Sequence, residues 1–300
     1  MSDILIPKPI TLESKELIDS FFKQKCTLSS EFTFTNLFMW QKSYNMHYAV
    51  PEGMLTIIPR HGNGPLSATY PVGKGDTKAA VRKILEYFEH IGETPLIRLY
   101  NDISRYQLEQ DFPDTFIFTE DVNSHDYVYR TSDLINLSGN KYHSKRNHVN
   151  RFKSSYNYEY HRMTPDYKDR CMEMFKGWVD SKKDSVPGID EQFDAVSTLL
   201  NNWEKLDITG GCLTVDGEMV AFSFGEQLCA DGSMAVIHLE HANTDYNGSF
   251  AAMNQQFLEH EWSSFEFVNR EEDMGLEGLR KAKESYRPVF MVKKYVATIK

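Results

Sequence analysis

Residues 210–242 read GGCLTVDGEMVAFSFGEQLCADGSMAVIHLEHA. Three runs rich in β-branched, aromatic and other apolar residues, around Leu213, Phe222 and Val236, are separated by Asp216-Gly217 and Asp231-Gly232. Asp-Gly readily supplies the left-handed backbone that tight hairpins need, so the stretch predicts three consecutive antiparallel strands.

The neighbours of this meander repeat at helical spacing. Upstream, Cys171, Met174, Phe175 and Trp178 form one apolar stripe, and Phe193, Val196, Leu200 and Trp203 another, which predicts two helices. Downstream come a helix near Ser249–Glu261, a strand FEFVN, a helix near Leu276–Glu284 and a last strand VFMVKKYVATI. In the N-terminal half, Val81, Ile84, Leu85 and Phe88 mark an amphipathic helix that follows a cap at Asp76 or Thr77 and is ended by Gly92. MLTIIP, PLIRLY and DTFIFTE are short and β-rich, so this half also mixes helix and strand.

At 300 residues the chain is long enough for two domains, and 41% hydrophobic with 25% charged residues reads as globular. No uncharged apolar run reaches eighteen residues, and MSDILIPKPITLESKELIDSFF has no basic segment followed by an apolar one, so a soluble, cytoplasmic protein without a transmembrane segment is expected. Cys26, Cys171, Cys212 and Cys229 contain no CxxC pair; the spacing suggests neither a disulfide framework nor a zinc knuckle, and all four read as reduced small hydrophobes. His143, His148 and His161 have no ligand partner at metal-site spacing, so no metal is expected.

A net charge of −10 argues against non-specific coating of nucleic acid. Its distribution is uneven. NLSGNKYHSKRNHVNRFK (136–153) gathers Lys141, Lys145, Arg146, Arg151 and Lys153 with no carboxylate. LRKAKESYRPVFMVKKYV (279–296) carries six Lys or Arg against Glu284 alone, and the two stretches could face one anionic ligand. Ser138 is a good N-cap for a helix over Gly139–Lys153, which would place Lys141 in the first turn among free N–H groups. Two readings stand: a phosphate-binding helix start, or a solvated helix linking domains.

The order of two helices, a meander, a helix, a strand, a helix and a last strand is that of a GNAT acyltransferase fold. DYVYRTSDLINLSGNKYHSKRNHVNRF (126–152) and VNREEDMGLEGLRKAKESYRPVFMVKKY (268–295) resemble the signature blocks of the family related to the C-terminal, catalytic domain of phosphatidylglycerol lysyltransferases. The resemblance covers essentially the whole chain. It implies an α+β fold of two tandem GNAT-like domains, placed here at 1–132 and 133–300 with the active site in the second. It also implies kinship with peptidoglycan aminoacyltransferases that use aminoacyl-tRNA. The expected function is therefore transfer of an amino acid from aminoacyl-tRNA to an unknown amine or hydroxyl acceptor, whether small molecule, lipid or peptide. The alternatives are an acyl-CoA-dependent N-acyltransferase and a non-catalytic GNAT-like binding module.

A coenzyme A-dependent relative grips pyrophosphate with Q/R-x-x-G-x-G/A at a helix start. Here DYNGSFAAMNQQF supplies Gly248 and Ser249, but Asp245 and Phe250 put negative charge and bulk at the other positions, so coenzyme A is disfavoured and no cofactor is expected. Transfer from an activated ester needs positioning, a proton acceptor and donors for the developing oxyanion. Glu240 and His241, ending a central strand, are the candidate bases. Lys141, Lys145, Arg146, Arg151, Arg280 and Lys283 are candidate anion contacts. Asn269 and Asp273 could hold the acceptor amine, or Asp273 could serve as a cap at a helix start. Tyr286, two residues before Pro288, stands where many GNAT enzymes carry the tyrosine that protonates the leaving group.

Overall fold

The Asp216-Gly217 hairpin forms as its residues require. Both residues have positive φ, +50° and +86°, and Val215 pairs directly with Glu218 across a two-residue turn. The second turn is longer: Gly232 alone is left-handed, and Asp231 Oδ1 accepts from Ser233 N at 3.0 Å, an Asx turn that closes the loop.

This computed structural model describes residues 4–182 and 188–300. The chain forms two compact units, one of residues 1–125 with 292–300 and one of residues 126–291. The sequence placed the division at 132/133 and gave the whole C-terminus to the second domain.

In the first unit, β1 (Lys8–Pro9), β2 (His47–Ala49), β3 (Met54–Ile58) and β5 (Val72–Gly73) make one four-stranded sheet. A second sheet has the order β4 (Ala68–Thr69), β6 (Leu96–Leu99), the C-terminal strand Tyr295–Ile299, and β7 (Phe116–Glu120). Helices α1 (Lys15–Phe22), α2 (Phe34–Trp40), α3 (Thr77–Ile91) and α4 (Asp102–Asp111) complete it. The α3 start is capped by Asp76, which accepts from Ala79 N at 2.9 Å, and Gly92 ends it at φ +72°.

The second unit is built on a seven-stranded sheet. Its order is β14 (Phe290–Val292), β8 (Asp126–Arg130), β13 (Phe267–Asn269), β12 (Met234–Ala242), β11 (Glu218–Gln227), β10 (Thr209–Val215) and β9 (Tyr158–Met163). Helices α5 (Thr131–Asn136), α6 (His143–Ser155) and α9 (Ser249–Glu261) pack together with α9 on one face, and α7 (Lys168–Lys182) with α8 (Ile189–Asn201) cover the other; α10 (Glu277–Glu284) precedes β14. The two faces explain why β10–β12 are buried along nearly their whole length.

Three expectations change. The run VFMVKKYVATI is not one strand: it divides at Lys293-Lys294 between two sheets, and Lys294 is buried against Glu31 at 2.5 Å. Ser138 does not cap a helix. Leu137 and Gly139 both turn through positive φ, a 3-10 turn follows over Asn140–Tyr142, and α6 begins only at His143, so Lys141 lies outside the helix. Of the cysteines, Cys171 and Cys212 are free and buried, whereas Cys26 and Cys229 carry no free thiol. Among the described residues, no helix is long and apolar enough to cross a membrane.

Candidate active site

The site follows from a break in strand pairing. β12 and β13 pair in parallel only over Met234–Val236 and Phe267–Asn269. On its other side, β12 carries a bulge: Phe224 faces Leu239 and Gly225 faces Ile237, so His238 is the inserted residue in the register with β11. Gly225 permits this, because a Cβ there would stand 2.5 Å from the Val236 carbonyl oxygen. Beyond the last paired residues, the two strands are joined by side chains instead of ladder bonds.

Those side chains are charged. Arg270, just after β13, donates from Nη2 to Glu240 Oε1 at 3.1 Å. The other Glu240 oxygen accepts from Asn254 Nδ2 of α9 at 3.3 Å. The Arg270 guanidinium also lies 4.9 Å from the Tyr286 ring centroid and 5.8 Å from that of Tyr129, and the two rings meet edge to face at 6.4 Å. Lys145, reaching from α6, places Nζ 4.1 Å from the Tyr286 centroid, a cation-π contact. Tyr286 therefore stands among two cations and one carboxylate, drawn from α6, β12 and the segments after β13 and α10.

Burial shifts their acidities. The Tyr286 hydroxyl is pushed up to about 12 by burial; the Arg270 charge opposes this and the Glu240 charge adds to it. It keeps its proton at neutral pH. The Lys145 ammonium is pulled down by burial and by Arg270, with Glu240 opposing. Two polar atoms of the cluster, Arg270 Nη1 and Asn254 Oδ1, are buried and have no protein partner within hydrogen-bonding geometry. An unpaired buried group of this kind costs about 1–3 kcal/mol, so the fold tolerates a local cost here.

The remaining candidates divide. His241 is adjacent to Glu240 and so points to the opposite face of β12. It is packed among Phe175, Trp178 and Phe222 at 5.2–5.6 Å, and burial lowers it to about 4. It is a neutral core histidine, away from Glu240. Asn269 is fully buried, donating to Asp126 Oδ2 at 2.8 Å and accepting from Glu271 N at 2.7 Å. Asp273 is 1% exposed and accepts from Tyr127 Oη at 2.6 Å, Arg280 Nε at 2.7 Å and Gly275 N at 2.8 Å. Burial alone would raise its pKa, but the Arg280 and Tyr127 hydrogen bonds hold it at about 2. Both residues brace the loop before α10; neither offers a free oxygen to a cleft, and Asp273 is not the cap, since Leu276 occupies that position. Lys283 donates to the carbonyls of Arg270 and Glu271, and burial with the Arg270 charge pulls it down to about 8.

The first basic stretch also splits by role. Lys141 pairs with Asp133 at 3.2 Å, Arg146 donates to the carbonyls of Leu137 and Gly139, and Arg151 is exposed; only Lys145 reaches Tyr286. Gly248, at φ +91°, is where α9 meets α6: a Cβ would stand 2.3 Å from the His148 carbonyl oxygen. Ser249 is buried, donating from Oγ to the Asn243 carbonyl at 2.8 Å and from N to that of Tyr246 at 3.0 Å. This helix start is thus engaged with its own chain.

Arg270, Asn254 and Tyr129 escaped the sequence reading. Asn254 carries a legible signal: its helix neighbours Ala251, Phe257 and Leu258 are all core residues, so an amide on that stripe is out of place. Arg270 is the one cation in NREEDMG and is separated from Glu240 by 30 positions, which no local pattern connects.

A mixed sheet whose strands part beside a buried tyrosine, carried on the second of two units of mixed helix and sheet, defines a tandem GNAT-like protein. The model of the family described as "Phosphatidylglycerol lysyltransferase, C-terminal" matches residues 25–298, and the chain belongs to that family. A conserved protein of unknown function from Bacteroides thetaiotaomicron superposes with a TM-score of 0.91 at 37% identity, covering 99% of this chain and 100% of that one. L-PGS from Bacillus licheniformis gives 0.66 at 17% identity, covering 94% and 91%, which shows a shared fold. By sequence, an uncharacterized protein of Mycoplasmoides gallisepticum is 25% identical over 182 residues, 59% of this chain and 57% of the relative's own length.

Proposed function

We propose that the second unit transfers an amino acid from the ester of an aminoacyl-tRNA to an amine or hydroxyl acceptor. The observation that carries this reading is the Tyr286 hydroxyl, buried and protonated, with the Lys145 and Arg270 cations over its ring and the Glu240 carboxylate nearby. Membership of a family described by lysyl transfer supports it.

The reaction needs no reagent beyond its two substrates. The lone pair of the acceptor attacks the ester carbonyl carbon, and the bond from that carbon to the ribose oxygen breaks. One proton leaves the acceptor and one reaches the ribose oxygen. Tyr286 donates the second, since a hydroxyl held near 12 is protonated at pH 7 yet close in strength to an alcohol. Lys145 and Arg270 stabilise the phenolate as it forms, and in this reading Glu240 accepts the first proton. Lys141 and Arg151, on the exposed side of the α6 region, supply phosphate contacts for the tRNA. Coenzyme A has no place at the α9 start in this reading, because the Ser249 N–H and the packing against His148 occupy it.

The test is to incubate the purified chain with tRNA charged with radiolabelled lysine, then with each other amino acid, in the presence of a small-molecule and lipid extract. Protein-dependent movement of label from tRNA into an acceptor is expected. No transfer or release above the blank from any charged tRNA would overturn the reading.

A further inference from the structure

We infer that Glu240, Asn254 and Arg270 form a seat for an α-amino acyl group, with Asn254 Oδ1 accepting from its ammonium and Arg270 Nη1 donating to its carbonyl. The inference rests on the aminoacyl-transfer reading and names the part of the substrate that this site recognises.

The orientation of the Asn254 amide is fixed by its partner. An ionised carboxylate only accepts hydrogen bonds, so the NH2 end must face Glu240, at 3.3 Å, and Oδ1 must point away. The side chain is 2% exposed, and Oδ1 has no donor near it. Arg270 is held by the same carboxylate through Nη2 and lies against the Tyr286 hydroxyl, and its Nη1 is a buried donor with no acceptor in hydrogen-bonding geometry. One acceptor and one donor thus flank a single carboxylate, beside the Tyr286 ring. An α-amino acyl group presents a donor and an acceptor three bonds apart, its ammonium nitrogen and its carbonyl oxygen. A simple acyl group, such as acetyl, has the carbonyl only and would leave Asn254 Oδ1 buried and unpaired. The seat therefore selects for a free α-amine whatever the amino-acid side chain.

The probes are L-alaninamide and N-acetyl-L-alaninamide, whose binding to the full chain is measured by ligand-detected NMR titration. Alaninamide is expected to bind at least about tenfold more tightly, the size of one charge-assisted hydrogen bond. Asn254→Leu, close in volume, is expected to reduce that preference to within about threefold; Asn254→Ala serves if the leucine variant does not fold. Equal binding of the two compounds, binding of neither, or a preference that survives in the variants would overturn the seat and leave the two atoms to bound water. The same contrast is then made with charged tRNA against Nα-acetylated aminoacyl-tRNA. Amine-dependent binding without transfer from any donor upholds the seat and removes the transfer reading. Transfer that accepts blocked and free donors equally removes the seat and leaves the transfer reading intact.

Discussion

The Lys145 ammonium lies 4.1 Å from the centroid of the Tyr286 ring, although one residue belongs to α6 and the other follows α10. A lysine placed over a tyrosine holds positive charge where a phenolate would form, which makes the pair the natural place to begin testing the site.

Tyr286→Phe keeps the ring, its edge-to-face contact with Tyr129 and the packing, and removes only the proton donor. Turnover in the transfer assay is expected to fall about 10²-fold or more, with melting temperature nearly unchanged. Turnover within a factor of three of the parent would leave Tyr286 a packing residue.

The basic residues around α6 should separate by role. Arg146→Gln breaks hydrogen bonds to the carbonyls of Leu137 and Gly139 and is expected to cost about 1–2 kcal/mol of stability, read by denaturant melts. Lys141→Gln with Arg151→Gln should leave stability alone and lower the log–log salt slope of tRNA binding by close to one unit per contact. An unchanged slope would make these residues a solvated surface.

Asp273→Asn tests a brace. Loss of the ion pair with Arg280 should destabilise the second unit by about 2–3 kcal/mol, while activity per folded molecule stays near that of the parent. Because the folded-state pKa, about 2, lies below the ordinary 3.8, this stability is present above pH 4 and is lost as pH falls toward 2. The melting curves of parent and variant should therefore converge over that acid range.

His238, buried in the β12 bulge, is bonded on both ring nitrogens to carboxylates: Glu226 through Nε2 and Glu271 through Nδ1, each at 2.8 Å. Burial would lower its pKa, but the two carboxylates raise it to about 10. A folded value above the unfolded 6.5 means that its contribution is complete below pH 6.5 and is lost as pH rises through 10. Lys283, held near 8, shifts stability in the opposite direction over part of this range, so the measurement is the gap between the parent and His238→Gln. That gap should shrink from pH 6.5 to 10; a constant gap would show that the histidine is not charged in the fold.

Gly248→Ala should lower stability by about 1–3 kcal/mol, because the new methyl group meets the His148 carbonyl oxygen and the backbone is left-handed there. In the same helix-start geometry, acetyl-CoA is expected to bind the parent no better than millimolar by calorimetry. Micromolar binding would restore the coenzyme A reading.

Much of this was legible locally. The Asp216-Gly217 turn, the caps of α3 and the bounds of α9 depend on residues within a turn or two of one another, and so does the order of elements that resembles the family. Tyr286 could be singled out because a helix end before a proline is itself a local signal. Its surroundings could not. Glu240 and His241 look equivalent in sequence, and only the face that α9 covers and the face that α7 covers made one an ionised partner of Arg270 and the other a neutral core ring. Five basic residues in one stretch looked like one patch, yet the turns at Leu137 and Gly139 gave Arg146 to backbone carbonyls and Lys145 to the tyrosine. The physical reason is that hydrogen bonding and burial act between neighbours in space: sequence sets which groups exist and their local geometry, and the parting of β12 from β13 decides which of them meet.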